Sequence, residues 1–142
     1  MEILKRITHS ADETEAVGGL VAAYATENGE DFVALYGDLG AGKTAFSRGF
    51  VGAISPEAEV CSPTYSIVNE YEGNVTVFHF DMYRIEDEDS LDSIGFYDYF
   101  GRGIILTEWS ENIPYALPER YIRVKIEKLA GDSREITAEL VG

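Results

Sequence analysis

A glycine-rich segment constrains the fold of this chain more than any other sequence feature. The segment matches the pattern G-x-x-x-x-G-K-[ST] and comprises Gly37, Asp38, Leu39, Gly40, Ala41, Gly42, Lys43 and Thr44. A short apolar run at residues 32–36 precedes it and is typical of a buried strand, whereas residues 43 to about 53 have a helical pattern. This strand–loop–helix context is the one in which the pattern binds phosphate, so we predict an α/β fold with a P-loop.

The residue types in this segment suit phosphate binding. The glycines let the backbone curl so that several amide N–H groups point at one anion. The helix that begins near Lys43 adds the positive end of its dipole. Lys43 is expected to reach the β- and γ-phosphates of a nucleotide, and the Thr44 hydroxyl to bind Mg²⁺. The segment therefore predicts a nucleoside triphosphate with Mg²⁺ as the ligand.

Two acidic residues are candidates for the metal side of such a site. Glu108 follows the apolar run at residues 104–107, and Asp81 follows the strand-like residues 75–80. Ligands bind at the carboxyl ends of strands in α/β sheets, so either acid is expected to hold the metal, position water or face the phosphates. The alternative for each is an ordinary acid where a loop begins. If the strand-like segment is extended, Asp81 shares a face with His79 and Tyr83.

Four further residues are weaker candidates, and three of them have an ordinary structural alternative. Thr64 lies in a Ser-Pro-Thr-Tyr loop that could sense the γ-phosphate as a switch, or be only a proline turn before a strand. Arg84 and its neighbour Tyr83 could support the site or contact a partner, and the alternative for Arg84 is a surface ion pair. Trp109, directly after Glu108, could support the site or pack in the core.

The remaining segments indicate more helices and strands. Ser10 and Glu13 form a capping box before a helix. Residues 66–71 and 75–83 are strand-like and are joined by a hairpin turn. A helix that follows the acidic residues 86–90 is expected to place three residues on one face: Leu91, Ile94 and Tyr97.

Strict alternation of apolar and polar residues marks the end of the chain. Residues 122–127 and 135–140 alternate on both sides of Gly131 and Asp132, which indicates an antiparallel hairpin with one wet face. Bases of its first strand are expected to face acids of its second. We therefore predict one α/β P-loop NTPase domain over residues 1–142, with a mainly parallel central sheet, added antiparallel strands and a C-terminal β-hairpin.

No motif marks where the base of a nucleotide would lie. One candidate is the turn that contains Ser133 and Arg134, because it offers backbone amides and a cation for a ring face. Residues 10–14 are the second candidate. The alternative is that Arg134 only pairs with a neighbouring acid.

The charge of the chain bears on its partners. It has 26 Asp and Glu against 11 Lys and Arg, a net charge of −15, which repels nucleic acid and anionic membranes at long range. Any RNA is therefore expected to be held by another protein. No apolar run reaches the roughly 18 residues of a membrane-spanning helix, and no signal peptide is visible. The single cysteine, Cys61, suits the reducing cytoplasm.

Four motifs in this order resemble the bacterial TsaE (YjeE) ATPase family. They are GDLGAGKT at residues 37–44, SPTY at 62–65, HFDMYR at 79–84 and TEW at 107–109. The resemblance covers nearly the whole chain. It implies a Mg²⁺-dependent ATPase in the synthesis of threonylcarbamoyladenosine in tRNAs that read ANN codons. In that family the ATPase binds the TsaB–TsaD pair and reaches tRNA only through that complex.

Site roles follow from the same resemblance, residue by residue. It implies that Lys43 and its loop bind phosphates, that Thr44 and Glu108 bind Mg²⁺, that Asp81 is catalytic or metal-linked, and that Thr64 is a switch residue. From the residues alone, Asp81 and Glu108 stay interchangeable between metal and water.

Two other functions remain open at this stage. One is a small P-loop kinase acting on a metabolite, although no arginine-bearing lid is visible and no Lys or Arg lies between Arg48 and Arg84. The other is an adaptor that senses a nucleotide without hydrolysing it.

Overall fold

The computed structural model describes residues 1–37, 42–56 and 67–142. Within these ranges seven strands form one sheet. The strands are β1 (Glu2–Thr8), β2 (Phe32–Tyr36), β3 (Val68–Tyr71), β4 (Val77–Asp81), β5 (Ile104–Glu108), β6 (Tyr121–Lys128) and β7 (Arg134–Val141). The α-helices in the same ranges are α1 (Ala11–Asn28), α2 (Lys43–Ile54) and α3 (Glu88–Ser93), and short 3₁₀ helices span Phe96–Tyr99, Ser110–Asn112 and Pro114–Ala116.

Parallel strands occupy the centre of the sheet and antiparallel strands its two sides. The strand order is β1-β7-β6-β2-β5-β4-β3. β2 pairs in parallel with β6 and β5, and β5 pairs in parallel with β4. The pairs β1–β7, β6–β7 and β3–β4 are antiparallel. The predicted α/β fold, with a mainly parallel centre and a C-terminal hairpin, is confirmed.

The two faces of the sheet carry separate apolar cores. Successive side chains of a strand point to opposite faces. In β2, Val33 and Leu35 therefore belong to the core beneath α1 and α2, whereas Phe32 and Ala34 belong to the other core. The same alternation assigns Leu106 of β5 to the α1–α2 side. The position of a residue along a central strand thus decides whether it faces the helix that follows the glycine-rich segment.

Helix α1 begins and ends where its capping residues lie. The Ser10 hydroxyl accepts a hydrogen bond from the Glu13 backbone N–H at 3.2 Å. The reciprocal bond of the predicted capping box is shifted by one residue, because the Glu13 carboxylate accepts from the backbone N–H of His9 and not of Ser10. The helix ends at Gly29, whose φ of 68° is accessible to glycine at little cost.

The predicted helix after the acidic segment is shorter than expected. α3 ends at Ser93, and Gly95 has a φ of 69°, which breaks the helical path. Tyr97 therefore lies in a separate 3₁₀ helix and is 41% exposed, whereas Leu91 is buried. The prediction that Leu91, Ile94 and Tyr97 share one helix face was wrong.

The sheet edges also depart from expectation. Strand β1 was not predicted, because it is an edge strand with a register irregularity and an exposed Ile7 that weaken its alternation. In the C-terminal hairpin, Arg123 donates to Glu139 at 2.8 Å, as expected. The other positions of the hairpin do not pair a base with an acid. In the register, Lys125 lies opposite Thr137 and Glu127 lies opposite Glu135.

Helices α1 and α2 approach each other through glycine. A Cβ atom at Gly49 would overlap the backbone carbonyl of Glu15, and one at Gly18 would overlap the carbonyl of Phe46. These contacts set how closely α2 packs against α1. In the part of the chain that the structure describes, no helix is long and apolar enough to cross a membrane.

Gly49 and Gly52 give a matched test of this helix packing. We expect Gly49→Ala to lower the free energy of unfolding by roughly 1–3 kcal/mol, because a backbone must shift to admit the methyl group. Gly52 lies in the same helix with open space around it, so Gly52→Ala should raise that free energy by up to about 1 kcal/mol. Denaturant unfolding measures both. Equal stability of the two variants would contradict the close packing of α1 on α2.

Candidate functional site

Two carboxylates meet at the carboxyl edge of the central sheet. Asp81 is the last residue of β4, Glu108 is the last residue of β5, and the parallel register places them opposite each other. Each alternates in phase with a core residue beneath α2, Val77 for Asp81 and Leu106 for Glu108. The two acids therefore share the sheet face covered by the helix that begins with Lys43.

His79 contacts one of these acids directly. Its Nε2 lies 2.5 Å from Oε2 of Glu108, and the imidazole is fully buried while Glu108 is 6% exposed. Nδ1 of His79 has no hydrogen-bond partner among the described residues. No site role was predicted for His79 from the sequence. Its signals in the sequence were its place two residues before Asp81 and its place at the start of the HFDMYR motif.

Asp81 is held by the backbone that follows it. Its Oδ1 accepts a hydrogen bond from the Tyr83 N–H at 2.9 Å. β4 ends at Asp81, and the next residue, Met82, donates its N–H to the backbone carbonyl of Glu108 at 3.1 Å. Tyr83 is therefore outside the strand and 57% exposed. The expectation that Tyr83 shares the face of His79 and Asp81 was wrong, because the strand is shorter than the strand-like segment.

Lys43 lies between the backbone of the glycine-rich segment and an aromatic ring. Its Nζ donates to the Gly37 carbonyl at 2.7 Å and lies 3.8 Å from the centroid of the Trp109 ring. Trp109 has a φ of 56°, which is unusual for a residue with a large side chain. The Tyr83 ring packs against Trp109 at a centroid distance of 5.1 Å. Trp109 is thus brought to the site, where a cation lies over its face.

The start of α2 provides the anion-binding end of a helix. Gly42 is its N-cap residue, with a φ of 107°, and Lys43 and Thr44 are its first residues. The first N–H groups of a helix have no partner within the helix and favour negative charge. Four residues of the predicted loop, Asp38, Leu39, Gly40 and Ala41, lie outside the described residues, and so does Thr64.

Both candidate segments for a base line the same pocket. It has a volume of about 370 Å³, and its lining includes Ser10 and Thr14 from the start of α1, Arg134 from β7, and Gly42. Ser133 is not in the lining, but its hydroxyl lies 2.9 Å from His9 Nδ1, and His9 lines the pocket. The pocket therefore adjoins the start of α2.

Arg84 is not brought to the carboxylates. It is exposed, beyond the end of β4. Among the described residues no ion pair joins Arg84 to Asp81 or Glu108.

Tyr36 adds no negative charge beside the glycine-rich segment. It is the last residue of β2, directly before Gly37. Burial, together with the neighbouring Tyr121, raises the pKa of its phenol to about 12. The phenol therefore stays protonated at neutral pH.

The donor atoms at this edge suit Mg²⁺. The Thr44 hydroxyl and the carboxylates of Asp81 and Glu108 are hard oxygen donors. The described residues contain no group of three or more His, Cys, Asp or Glu side chains that would hold a metal ion by themselves. Mg²⁺ is commonly bound through one or two carboxylates together with substrate phosphates and water.

A family model with the description "Threonylcarbamoyl adenosine biosynthesis protein TsaE" matches residues 8–136. The chain belongs to the TsaE family. The family resemblance of the four motifs is confirmed.

Relatives of known name agree with this membership. The chain is 40% identical over 144 residues to the tRNA threonylcarbamoyladenosine biosynthesis protein TsaE of Bacillus subtilis, covering 100% of this chain and 89% of that protein. It is 32% identical to the protein of the same name from Treponema pallidum, covering 94% of this chain and 98% of that protein. The crystal structure of YdiB from Bacillus subtilis matches with a TM-score of 0.81 at 35% identity, covering 100% of this chain and 88% of that chain.

Proposed function

We propose that this TsaE-family protein is a Mg²⁺-dependent ATPase that supports threonylcarbamoyladenosine modification of tRNA. The observation that carries the proposal is the meeting of Asp81 and Glu108 at adjacent strand ends, on the face of the helix that begins with Lys43. Its relatives named tRNA threonylcarbamoyladenosine biosynthesis protein TsaE support the assignment of this chain to that pathway.

The phosphates are bound by the glycine-rich segment and the start of α2. Backbone N–H groups there face the β- and γ-phosphates, and Lys43 leaves the Gly37 carbonyl and the Trp109 ring to neutralise the γ-phosphate. Thr64 acts as a switch residue that responds to the γ-phosphate. Most of the catalytic effect in such transfers comes from positioning and charge, and these groups supply both.

The carboxylates divide the remaining tasks. Glu108 and Thr44 would hold Mg²⁺, which supplies positive charge against the phosphate oxygens when it is bound. Asp81 lies beside Glu108, partly exposed, and orients the attacking water in line with the γ-phosphate. Trp109 and Tyr83 support the site through the ring that contacts Lys43.

The base of ATP occupies the pocket beside Gly42. The pocket adjoins the phosphate-binding end of α2 and carries the Arg134 guanidinium, which can lie over a purine ring. The Ser10 hydroxyl also lines the pocket and provides a polar group that can bond to the base.

The partner of this ATPase is the TsaB–TsaD complex, in the cytoplasm. A net charge of −15 disfavours direct contact with tRNA, so tRNA is reached through that complex. Hydrolysis in the ATPase is then coupled to turnover of the complex.

The roles of the acids can be tested by substitution. We expect Glu108→Ala and Asp81→Ala each to lower the rate of ATP hydrolysis by about 10²-fold or more, while each variant stays folded. Glu108→Ala should also weaken the Mg²⁺ dependence of ATP binding.

Lys43→Ala should lose tight ATP binding with or without Mg²⁺. Steady-state hydrolysis and calorimetric titration measure these effects.

The matched control for these variants is Glu86→Ala, which removes an exposed acid beyond β4. It should hydrolyse ATP like the parent. If Glu108→Ala or Asp81→Ala behaves as the control does, the role of that acid is structural.

The base pocket predicts a change in nucleotide preference. Ser133→Pro combined with Arg134→Ala should lower ATP affinity by about tenfold and GTP affinity less, because the cation over the ring is lost and the proline removes the Ser133 N–H that closes the turn on the Ala130 carbonyl. Lys128→Ala, opposite Arg134 in the β6–β7 register, is the control. An unchanged ratio of ATP to GTP affinity in the double variant would place the base elsewhere.

Partner binding is tested with purified components. We expect TsaB–TsaD to be retained on the immobilised protein, with retention that changes when Mg²⁺ and ATP are added. The Lys43→Ala variant should show no response to the nucleotide. Absence of retention in every condition would contradict the proposed partner, and a response that persists in Lys43→Ala would contradict its dependence on this site.

A further inference from the structure

We propose that His79 is a positioning residue that directs the Glu108 carboxylate toward the phosphate side of the site. The inference rests on the role proposed above for Glu108. It starts from the hydrogen bond between His79 Nε2 and Glu108 Oε2, 2.5 Å long and buried within the sheet edge. Because Glu108 in its proposed role is an ionised metal ligand, and an ionised carboxylate only accepts hydrogen bonds, we assign Nε2 of His79 as the donor of this bond.

The sheet register explains the direction in which Glu108 is held. Asp81 is the residue directly opposite Glu108, and His79 lies opposite Leu106. The bond from His79 to Glu108 is therefore diagonal, one step back from the carboxyl ends of the strands. It fixes one oxygen of Glu108 at His79, whereas Oδ1 of Asp81 accepts from the Tyr83 N–H. Two like charges at neighbouring strand ends are thus held by separate donors.

A positioning role suits this bond better than a contribution to stability. The free-energy cost of burying a charged carboxylate is nearly equal to the attraction that one donor provides. Such pairs therefore add little to the free energy of unfolding. A glutamate has several rotatable bonds, and its carboxylate sweeps a wide arc unless a donor fixes it. The imidazole of His79 is fully buried, and its other nitrogen has no partner among the described residues. Within residues 1–37, 42–56 and 67–142, the bond to Glu108 is therefore the polar contact that the ring makes.

The consequence is a specific loss when the donor is removed. Residues that hold a metal ligand in place typically contribute 10–100-fold to metal affinity or activity. Without His79, Glu108 should bind Mg²⁺ more weakly even though its carboxylate is still present. Binding of ATP in the absence of Mg²⁺ should not change, because the groups that bind the phosphates are untouched.

Three substitutions separate the donor from the volume of the side chain. His79→Leu removes the donor, and His79→Asn keeps a polar group that is too short to reach Glu108. His79→Gln keeps an N–H donor at the reach of the imidazole Nε2. The control is Phe78→Leu, which alters the adjacent residue of β4 on the opposite face of the sheet and accounts for a general loss of stability.

The measurements are the Mg²⁺ concentration for half-maximal tight ATP binding, the ATP affinity without Mg²⁺, kcat, KM and the unfolding midpoint. We expect His79→Leu and His79→Asn to raise the Mg²⁺ requirement about tenfold or more and to lower kcat similarly. His79→Gln should recover most of both. Phe78→Leu should leave the Mg²⁺ requirement at the parental value.

The outcomes distinguish a failure of the role of His79 from a failure of the proposed ATPase function. If His79→Leu does not fold, the comparison of His79→Gln with His79→Asn decides, and equal behaviour of those two overturns the role of His79. Parental Mg²⁺ dependence and kcat in a folded His79→Leu variant overturn it as well. A parent protein that binds no ATP with Mg²⁺ overturns the proposed function itself, independently of His79.

Discussion

The parallel register of β4 against β5 is the constraint on which the site depends. It brings Asp81 and Glu108 to the same level at the end of adjacent strands. Because the side chains of a strand alternate between faces, both acids point to the side of α2, and His79 lies beneath them on that side. A slip of one residue in this register would move one carboxylate out of line with the other and break the bond between His79 and Glu108.

Much of this arrangement was predictable from the sequence, for local reasons. The glycine-rich segment between an apolar run and a helical pattern indicated β2, α2 and their order, and strict alternation indicated the β6–β7 hairpin. Both signals depend on residues close together in the chain. Asp81 and Glu108 were identified as candidates because Asp81 follows a strand-like segment and Glu108 follows a short apolar run, and the structure shows that they are neighbours.

What sequence reasoning missed depends on contacts between distant segments. The bond from His79 to Glu108 joins residues 29 positions apart, and only the register of two strands brings them together. Edge strand β1 pairs with β7 at the other end of the chain. Its own alternation is weak, so residues close to it in the sequence gave little indication of a strand. The break at Gly95 was visible as a glycine within a helical pattern, but its positive φ is a property of the folded chain.

The glycine contact between α1 and α2 has a consequence for ligand size. Backbone lies against backbone at Gly49 and Gly18, so the two helices cannot slide without losing a contact that has no side chain to repack. The start of α1 lines the pocket beside Gly42, and the start of α2 presents the helix end that attracts anions. The distance between the pocket and the start of α2 is therefore fixed. A ligand that occupies both must have a length that matches this distance.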